Sequence, residues 1–498
     1  MPQFPWGDDH WASAAGFCID AGLLSQHALA PLEFGQLSQS FKPMIYSHFD
    51  QATPPDVLVV HKGLLSHYDS DLLFAFRQAG AYVYGNSVFV ILTRDLGHKQ
   101  EGPSEHITVL DRYIENGTSE NAGSHADNTW FFDRWQRHER RPDLPIGDGK
   151  RIAIVSANRM GNFGDDLLTF ATRNILLQAI EGSDIRVLAP PVEKEALTSI
   201  DCLVIGAGGL LYDGSLENVL NYMQPVALAA KAAIKTVCLG QGVQGISTPL
   251  GRDIFRRALS TCAGLTTRDA ESTRVLTEEV GVTCSVQTLQ DLAFSLGPHM
   301  DAIAGTMPPR AARAKPRVLV SLSDPQRLGA IKSVGSAAAL TRFGDVNRWF
   351  ASAFSKEFDL KFFVQSRDDL AFYQSVRAST DVEIVDPNDA PVEVGLRQYL
   401  EADLVLTSRL HGLILACLAR KPVIAVSSRG TKIDRLISES IPSLRDNLIF
   451  LADYSADALK AKIDMFTHGR LPSISEEDLE RAIEKALETI PFVRDVLR

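Results

Sequence analysis

The chain reads as an α/β protein with two Rossmann-like lobes facing a cleft, preceded by a smaller α/β region. Three observations predict this. From residue 150 onward, short apolar strands alternate with helical segments of ten or more residues, the pattern of a parallel sheet covered on both faces. The alternation occurs twice, on either side of the Pro-, Gly- and Ala-rich stretch Gly297–Pro316. Polar and Gly-rich turns follow many of the strands, at the carboxyl ends where open parallel sheets bind ligands.

Bulk properties narrow the class further. The 498 residues are 45% hydrophobic and 22% charged, enough apolar material for more than one core. A net charge of −11 excludes a general nucleic-acid binder, which needs a concentrated basic surface, but leaves room for a local cationic pocket. The six cysteines are scattered singly and none forms a CxxC, so buried thiols in a reducing compartment are expected rather than disulfides or a zinc module. No run approaches the ~18 apolar residues of a membrane span. The start, MPQFPWGDDHWAS, lacks the basic and apolar regions of a signal peptide, and a cytoplasmic location is expected.

Residues 1–149 form an accessory region of unassigned role. They hold nine of the twelve His and four of the five Trp, and their periodicity is weak. Asp56–His61 and Ser87–Leu92 read as strands, with an acid-capped helix over Asp69–Ala79. Leu96–Asn128 is polar and loop-rich, and the charged Arg134–Gly149 reads as a linker. The first lobe spans 150–300. Its strands are Lys150–Ser156, Asp201–Ile205, Thr236–Leu239, Gly264–Thr267 and Ser285–Thr288; its helices are Asp166–Ile180, Met223–Ile234, Leu250–Ser260 and Ala270–Val280. After the hinge at Gly297–Pro316, the second lobe spans 317–470. Its strands are Arg317–Leu322, Lys361–Val364, Val382–Val385, Asp403–Thr407 and Pro422–Val426. Helices are expected at Val346–Glu357, Asp369–Ser379, Val392–Ala402 and Leu410–Ala419. A C-terminal helix within 473–498 opens on the capping-box-like Ser475–Asp478 and runs to about Ile490.

The strand-end turns carry the candidate chemistry. In Asn158–Asp166, glycines let the backbone approach a ligand and the following helix offers unpaired N–H groups. Asn162, Asp165 and Asp166 bring short polar groups to the cleft edge. Paired acids at a helix N-terminus suit sugar hydroxyls or proton transfer rather than phosphate, and equally serve as plain helix caps. Gly206–Gly209 reads either as a close-approach loop through Gly208 and Gly209 or as a structural turn. Gly240–Gly245 is a literal GxGxxG. Ser247–Pro249 delay its helix and it belongs to the third unit of the lobe, which argues against a dinucleotide site. Arg268, at a strand's carboxyl end, can fork onto a carboxylate or phosphate, or simply pair with Asp269. Ser408–Gly412 (SRLHG) is the strongest signal. Arg409 and His411, one residue apart at a strand-to-helix turn, can both point at an anion above the helix N-terminus, and Arg429 and Lys432 follow on the neighbouring strand end.

At these residues the sequence resembles the polysaccharide pyruvyl transferase family. GNFGDD (Gly161–Asp166), GAGG (Gly206–Gly209), GQGVQG (Gly240–Gly245), TTRDAES (Thr266–Ser272), QDLAF (Gln290–Phe294), SRLHG and the late Lys432 run in family order over about residues 150–440. The resemblance implies a GT-B-like fold. It also implies transfer of the enolpyruvyl unit of phosphoenolpyruvate (PEP) onto two hydroxyls of a sugar in a bacterial-type glycan such as an exopolysaccharide. The product would be a pyruvate ketal, with phosphate released. Arg268, Arg409 and His411 would surround PEP, a co-substrate, with no further cofactor and no metal. Gln290–Asp291 stands where a Pro–Asp pair is common in the family, so the turn is expected to differ there.

That chemistry gives proton transfer to His411 or Asp165 and the departing phosphate to Arg409 and Lys432. Asn162, Gly164, Gly208, Gly209 and Ser408 are further substrate-binding candidates. The expected partners are PEP, a glycan acceptor (lipid-linked among the options) and, peripherally, glycan-assembly machinery. Two other readings fit the same residues. One is a GT-B glycosyltransferase with a nucleotide-sugar donor. The other is a non-catalytic glycan-binding protein with residues 1–149 as its interaction module.

Overall fold

The computed structural model describes residues 4–38, 41–43, 56–62, 65, 73, 77, 81–94, 106–108, 110–111, 150–192, 194–214, 216–308, 314–325, 337–380 and 382–497. The helix expected at 69–79 falls largely outside them, and so do most of the polar segment 96–128 and the linker 134–149.

The accessory region is built on a five-stranded sheet in the order β2-β1-β3-β5-β4: β1 (Ala28–Ala30), β2 (Phe41–Pro43), β3 (Val57–His61), β4 (Ala81–Gly85) and β5 (Phe89–Thr93). β1, β2 and β3 are parallel, whereas β5 runs antiparallel to both β3 and β4. Helix Asp9–Asp20, capped by Asp8, packs on it through Ala14, Ala15 and Cys18 in a core rich in Phe. Of these strands the sequence marks only β3 and β5. The parallel strands β1 and β2 are three residues long, too short to show a period.

The first lobe is a seven-stranded parallel sheet: β6 (Arg151–Val155), β7 (Asp184–Leu188), β8 (Cys202–Ile205), β9 (Gly208–Tyr212), β10 (Lys235–Gly245), β11 (Gly264–Thr267) and β12 (Val286–Thr288). Its order, β12-β11-β10-β8-β6-β7 with β9 on β10, is flavodoxin-like and reverses between β6 and β8. β7 is missing from the sequence reading because its residues are only half-buried.

Two glycine motifs need correction. The GxGxxG is no loop. Gly240–Gly245 continues β10, which pairs first with β8 and then with β9, and Gly240 takes a φ of 57° at the irregularity between the two halves. Gly208 and Gly209 likewise open strand β9 rather than a turn.

The second lobe is parallel throughout: β13 (Arg317–Ser321), β14 (Asp359–Phe363), β15 (Glu383–Val385), β16 (Leu404–Thr407), β17 (Val423–Ser427) and β18 (Leu448–Phe450). The order β15-β14-β13-β16-β17-β18 is that of a Rossmann sheet, with its switch point between β13 and β16. The two sheets give the GT-B-like arrangement.

The expected hinge and tail also need correction. Gly297–Thr306 is a helix with Pro298 in its first turn, where the missing N–H costs nothing. The C-terminal segment is two helices, Glu476–Leu487 and Thr489–Leu497. Pro491 has no N–H for an unbroken helix but fits the first turn of a new one. The last helix returns to the first lobe: Arg494 donates to the carbonyls of Gln178 and Ala179, and Lys150 donates to that of Leu497. One apolar cluster therefore contains Ile154 and Leu167 of the first lobe, Phe363 and Leu413 of the second, and Val493 of the tail. Such a continuous apolar seam makes free hinging of the lobes costly. No helix among the described residues is long and apolar enough to cross a membrane.

Candidate active site

A cleft of about 1090 Å³ lies between the lobes and receives residues from both. On the first-lobe side, the Asn158–Asp166 turn leads into helix Phe163–Ala179. Asn162 is its N-cap, accepting the Gly164 N–H at 3.0 Å. Asp166 turns back to accept the Arg159 N–H at 2.5 Å. Asp165 has neither task and faces the cleft. Burial raises the Asp165 carboxyl above its usual range, and the nearby His411 and Lys432 offset only part of that rise.

This turn is fixed to the second lobe by backbone contacts. Phe163 N–H donates to Gln365 O and Arg367 N–H to Gly161 O, each at 2.8 Å, while Asn162 and Ser366 form an antiparallel bridge.

Arg268, 8% exposed, lies across β10; a Cβ at Gly242 would come within 2.5 Å of its guanidinium. That clearance is what the GQG segment supplies. Arg268 Nη1 donates to Asp291 Oδ2 at 3.2 Å, and the buried Nε makes no hydrogen bond but lies 3.9 Å from Asp269 Oδ2, within ion-pair range. The same Asp291 oxygen lies 3.8 Å from His411 Nε2, an electrostatic contact too long for a hydrogen bond. A first-lobe carboxylate thus stands between a first-lobe Arg and a second-lobe His. Burial by itself raises the Asp291 carboxyl, but the His411 ring and the Arg268 guanidinium overturn that and hold it well below the usual carboxylate range.

The second lobe supplies the rest at its topological switch point. Ser408 Oγ accepts the Ser323 N–H at 2.8 Å, joining the ends of β16 and β13. Arg409 stands at the N-cap of helix Leu410–Leu418. Its Nη2 is held by both oxygens of Asp369, a fully buried carboxylate that also accepts the Asp324 N–H. Arg409 is therefore already paired, and its buried Nε is the unpartnered donor. Lys432 opens helix Lys432–Glu439 and keeps accessible surface inside the cleft. Desolvation, together with Arg268 and Arg409, lowers its ammonium to about 8.

Of the sequence candidates, Asn162, Asp165, Gly209, Arg268, Ser408, Arg409, His411 and Lys432 line the cleft. Gly164 and Gly208 do not. Gly164 is needed because a Cβ would overlap the His411 ring, and Gly208 because its φ is 138°. Sequence reasoning missed Asp291, Asp369 and the buried cleft residue Tyr222 as members of the site. QDLAF, after a strand end, held the signal for Asp291. Asp369 gives none, since it reads as one more acid at a helix start.

The lowered Lys432 has a pH consequence. Its charge is present below about 8 and is lost as pH rises through that value. Binding of an anion should weaken across the same window, and kcat/KM for an anionic substrate should fall above about pH 8. In Lys432→Met that alkaline limb should vanish. A limb that persists unchanged in the variant rules Lys432 out as its source.

Two Rossmann-type sheets thus meet at a cation-rich cleft with carboxylates behind the cations. A sequence model of the polysaccharide pyruvyl transferase family matches residues 162–430, more than half of the chain, and the chain belongs to that family. No curated protein matches it. Among solved structures, UDP-GlcNAc 2-epimerase from Neisseria meningitidis bound to UDP-GlcNAc matches at 11% identity and TM-score 0.46, covering 69% of this chain and 99% of its own. The UDP-GlcNAc 2-epimerase of Methanocaldococcus jannaschii matches at 12% identity and TM-score 0.44, with the same coverages of 69% and 99%. An E. coli heptosyltransferase with ADP-2-deoxy-2-fluoro heptose matches at 14% identity and TM-score 0.32, covering 63% and 99%.

Proposed function

We propose that the protein transfers the enolpyruvyl unit of PEP onto two hydroxyls of a glycan sugar, forming a pyruvate ketal and releasing phosphate. On this reading it acts in the cytoplasm, with the second lobe holding PEP and the first holding the acceptor. The observation that carries the proposal is the meeting of Arg268, Arg409, His411 and Lys432 from two lobes around one cleft, with Asp291 and Asp369 behind them. PEP carries a carboxylate and a phosphate, and these cations match both.

The reaction adds a proton to the methylene carbon of PEP, turning it into a methyl group and leaving an oxocarbenium-like centre at C2. One sugar hydroxyl adds to C2, the C2–O bond to phosphate breaks, and the second hydroxyl closes the ring. Of the two hydroxyl protons, one balances the methyl group and the other leaves with phosphate. On this reading His411, 3.8 Å from Asp291, delivers the proton. On the same reading Asp165, raised by burial and within the field of His411, takes one from the acceptor. Arg409, Lys432 and the N-terminus of helix Leu410–Leu418 support the developing phosphate charge.

Calorimetry with PEP and, separately, UDP tests the donor. PEP is expected to bind and to release phosphate when sugar acceptors are added. UDP binding without PEP binding would instead make the protein a glycosyltransferase.

A further inference from the structure

One neutral side chain in the cleft carries a donor that the protein itself leaves unused. Gln365 lies two residues past β14 and is 2% exposed. Its backbone carbonyl accepts the Phe163 N–H of the first lobe at 2.8 Å. Its side-chain Oε1 accepts the Ser321 hydroxyl, at the end of β13, at 3.0 Å. Backbone and amide are thus each tied down by a separate partner. The amide Nε2 makes no hydrogen bond among the described residues and keeps accessible surface, and the residue lines the cleft. Two N–H groups fixed on a largely buried side chain call for an acceptor, and the cleft is where one can come from.

The neighbours of the amide say what kind of acceptor that is. A Cβ on Gly412 would stand 3.2 Å from Gln365 Oε1, so the side chain passes against the first turn of helix Leu410–Leu418. Thr407 Oγ1 crowds the same position, which is why the SRLHG segment ends in glycine. The helix starts without a side-chain cap, and Arg409 at its N-cap is engaged by Asp369. Unpaired N–H groups at a helix start favour an anionic oxygen, and the Gln365 amide stands beside them. The cations of the cleft attract any anion. An amide held in place instead selects an anion that puts an oxygen at one position, because a ligand without that oxygen leaves the donor unpaired.

We propose that Gln365 is a specificity-determining residue of the donor site, its Nε2 donating to an anionic oxygen of PEP at the N-terminus of helix Leu410–Leu418. The inference rests on the reading of this cleft as a PEP site. The oxygen belongs to either the carboxylate or the phosphate of PEP, and the two ends are separable.

The test is calorimetry on the full-length protein and on the variants Q365M and Q365E, with melting temperatures to establish folding. Met keeps the length of the side chain and removes the donor. Glu keeps the shape and the acceptor for Ser321 but places an oxygen where the N–H groups were. PEP affinity should fall ~10–100-fold in Q365M, the range for losing a hydrogen bond to a charged group, and further in Q365E. A structural role predicts the reverse order, because only Q365E preserves the bond from Ser321. Inorganic phosphate and pyruvate, titrated separately, identify the end of PEP involved. The one that loses affinity in Q365M as PEP does is the group on Nε2.

The proposal is overturned if Q365M binds PEP within about 3-fold of the unmodified protein, or if Q365E is the less impaired of the two. Should Q365M fail to fold, Q365E decides alone, by PEP binding lost at least ~10-fold or kept within about 3-fold. Absence of PEP binding to the unmodified protein would instead count against the proposed function. Inorganic phosphate titrated into the unmodified protein and the variants then decides whether Nε2 holds an anion.

Discussion

Replacing His411 with Ala is expected to lower PEP turnover by ~10²–10⁴-fold, the range over which a positioned proton donor acts. The fold should survive. His411 is a partner of Asp291 only at 3.8 Å, and Arg268 continues to pair with that carboxylate at 3.2 Å, so no buried charge is stranded. Gly164 would lose a ring packed against it but gain no clash. The measurement is single-turnover phosphate release beside a thermal melt. Turnover within ~10-fold of the unmodified protein, with PEP still bound, would remove His411 from the proton path and leave Asp165 as the remaining candidate.

Replacing Arg268 with Gln is expected to act on stability and on binding together. Asp291 is 2% exposed, and the guanidinium is one of the two groups that keep it ionised. Breaking a buried pair by removing one partner typically costs ~3–5 kcal/mol, because the other charge stays buried. PEP affinity should fall as well, since Arg268 lines the cleft. The two effects can be separated. In R268Q/D291N the stranded charge is gone, so denaturant unfolding should show most of the stability restored while PEP binding stays weak. If the second substitution restores neither, Asp291 is not the source of the cost. If it restores both, Arg268 does not contact the substrate.

The two expectations share a structural cause, which is that one carboxylate serves two lobes. Asp291 leaves the first sheet after β12 and accepts the Ala293 N–H at 3.1 Å, so its position is set locally. His411 reaches it from the end of β16 in the other lobe. Any relative movement of the lobes therefore changes the His411–Asp291 distance, while the Arg268–Asp291 pair moves as one body. The backbone ties from Gly161 and Phe163 to Arg367 and Gln365 and the shared apolar seam resist that movement.

Much of the architecture was legible in the sequence because it is written in local pattern. Runs such as Arg317–Leu322 and Asp403–Thr407 are apolar without alternation, which only a strand buried on both faces tolerates, and the helices between them show their own period. Knowing that the sheets are parallel also located the strand ends, and so Arg268, Arg409, His411 and Lys432 could be named before any coordinate. The resemblance in motif order carried the same residues to a family.

What the tertiary structure alone decided is which groups meet. The pairing of Arg409 with Asp369 spans 40 residues of chain, and that of His411 with Asp291 crosses from one lobe to the other. No periodicity encodes such a pairing, because it depends on strand order and on how two sheets face each other. Glycine roles were hidden for the same reason. Gly164 and Gly242 are small because His411 and Arg268 pass over them, and the passing side chain belongs to another part of the chain. The sequence by itself determined two parallel sheets and the cations at their strand ends. Packing between the lobes decided which acids stand behind those cations and which cations remain unpaired, because burial and distance are properties of the assembled cleft.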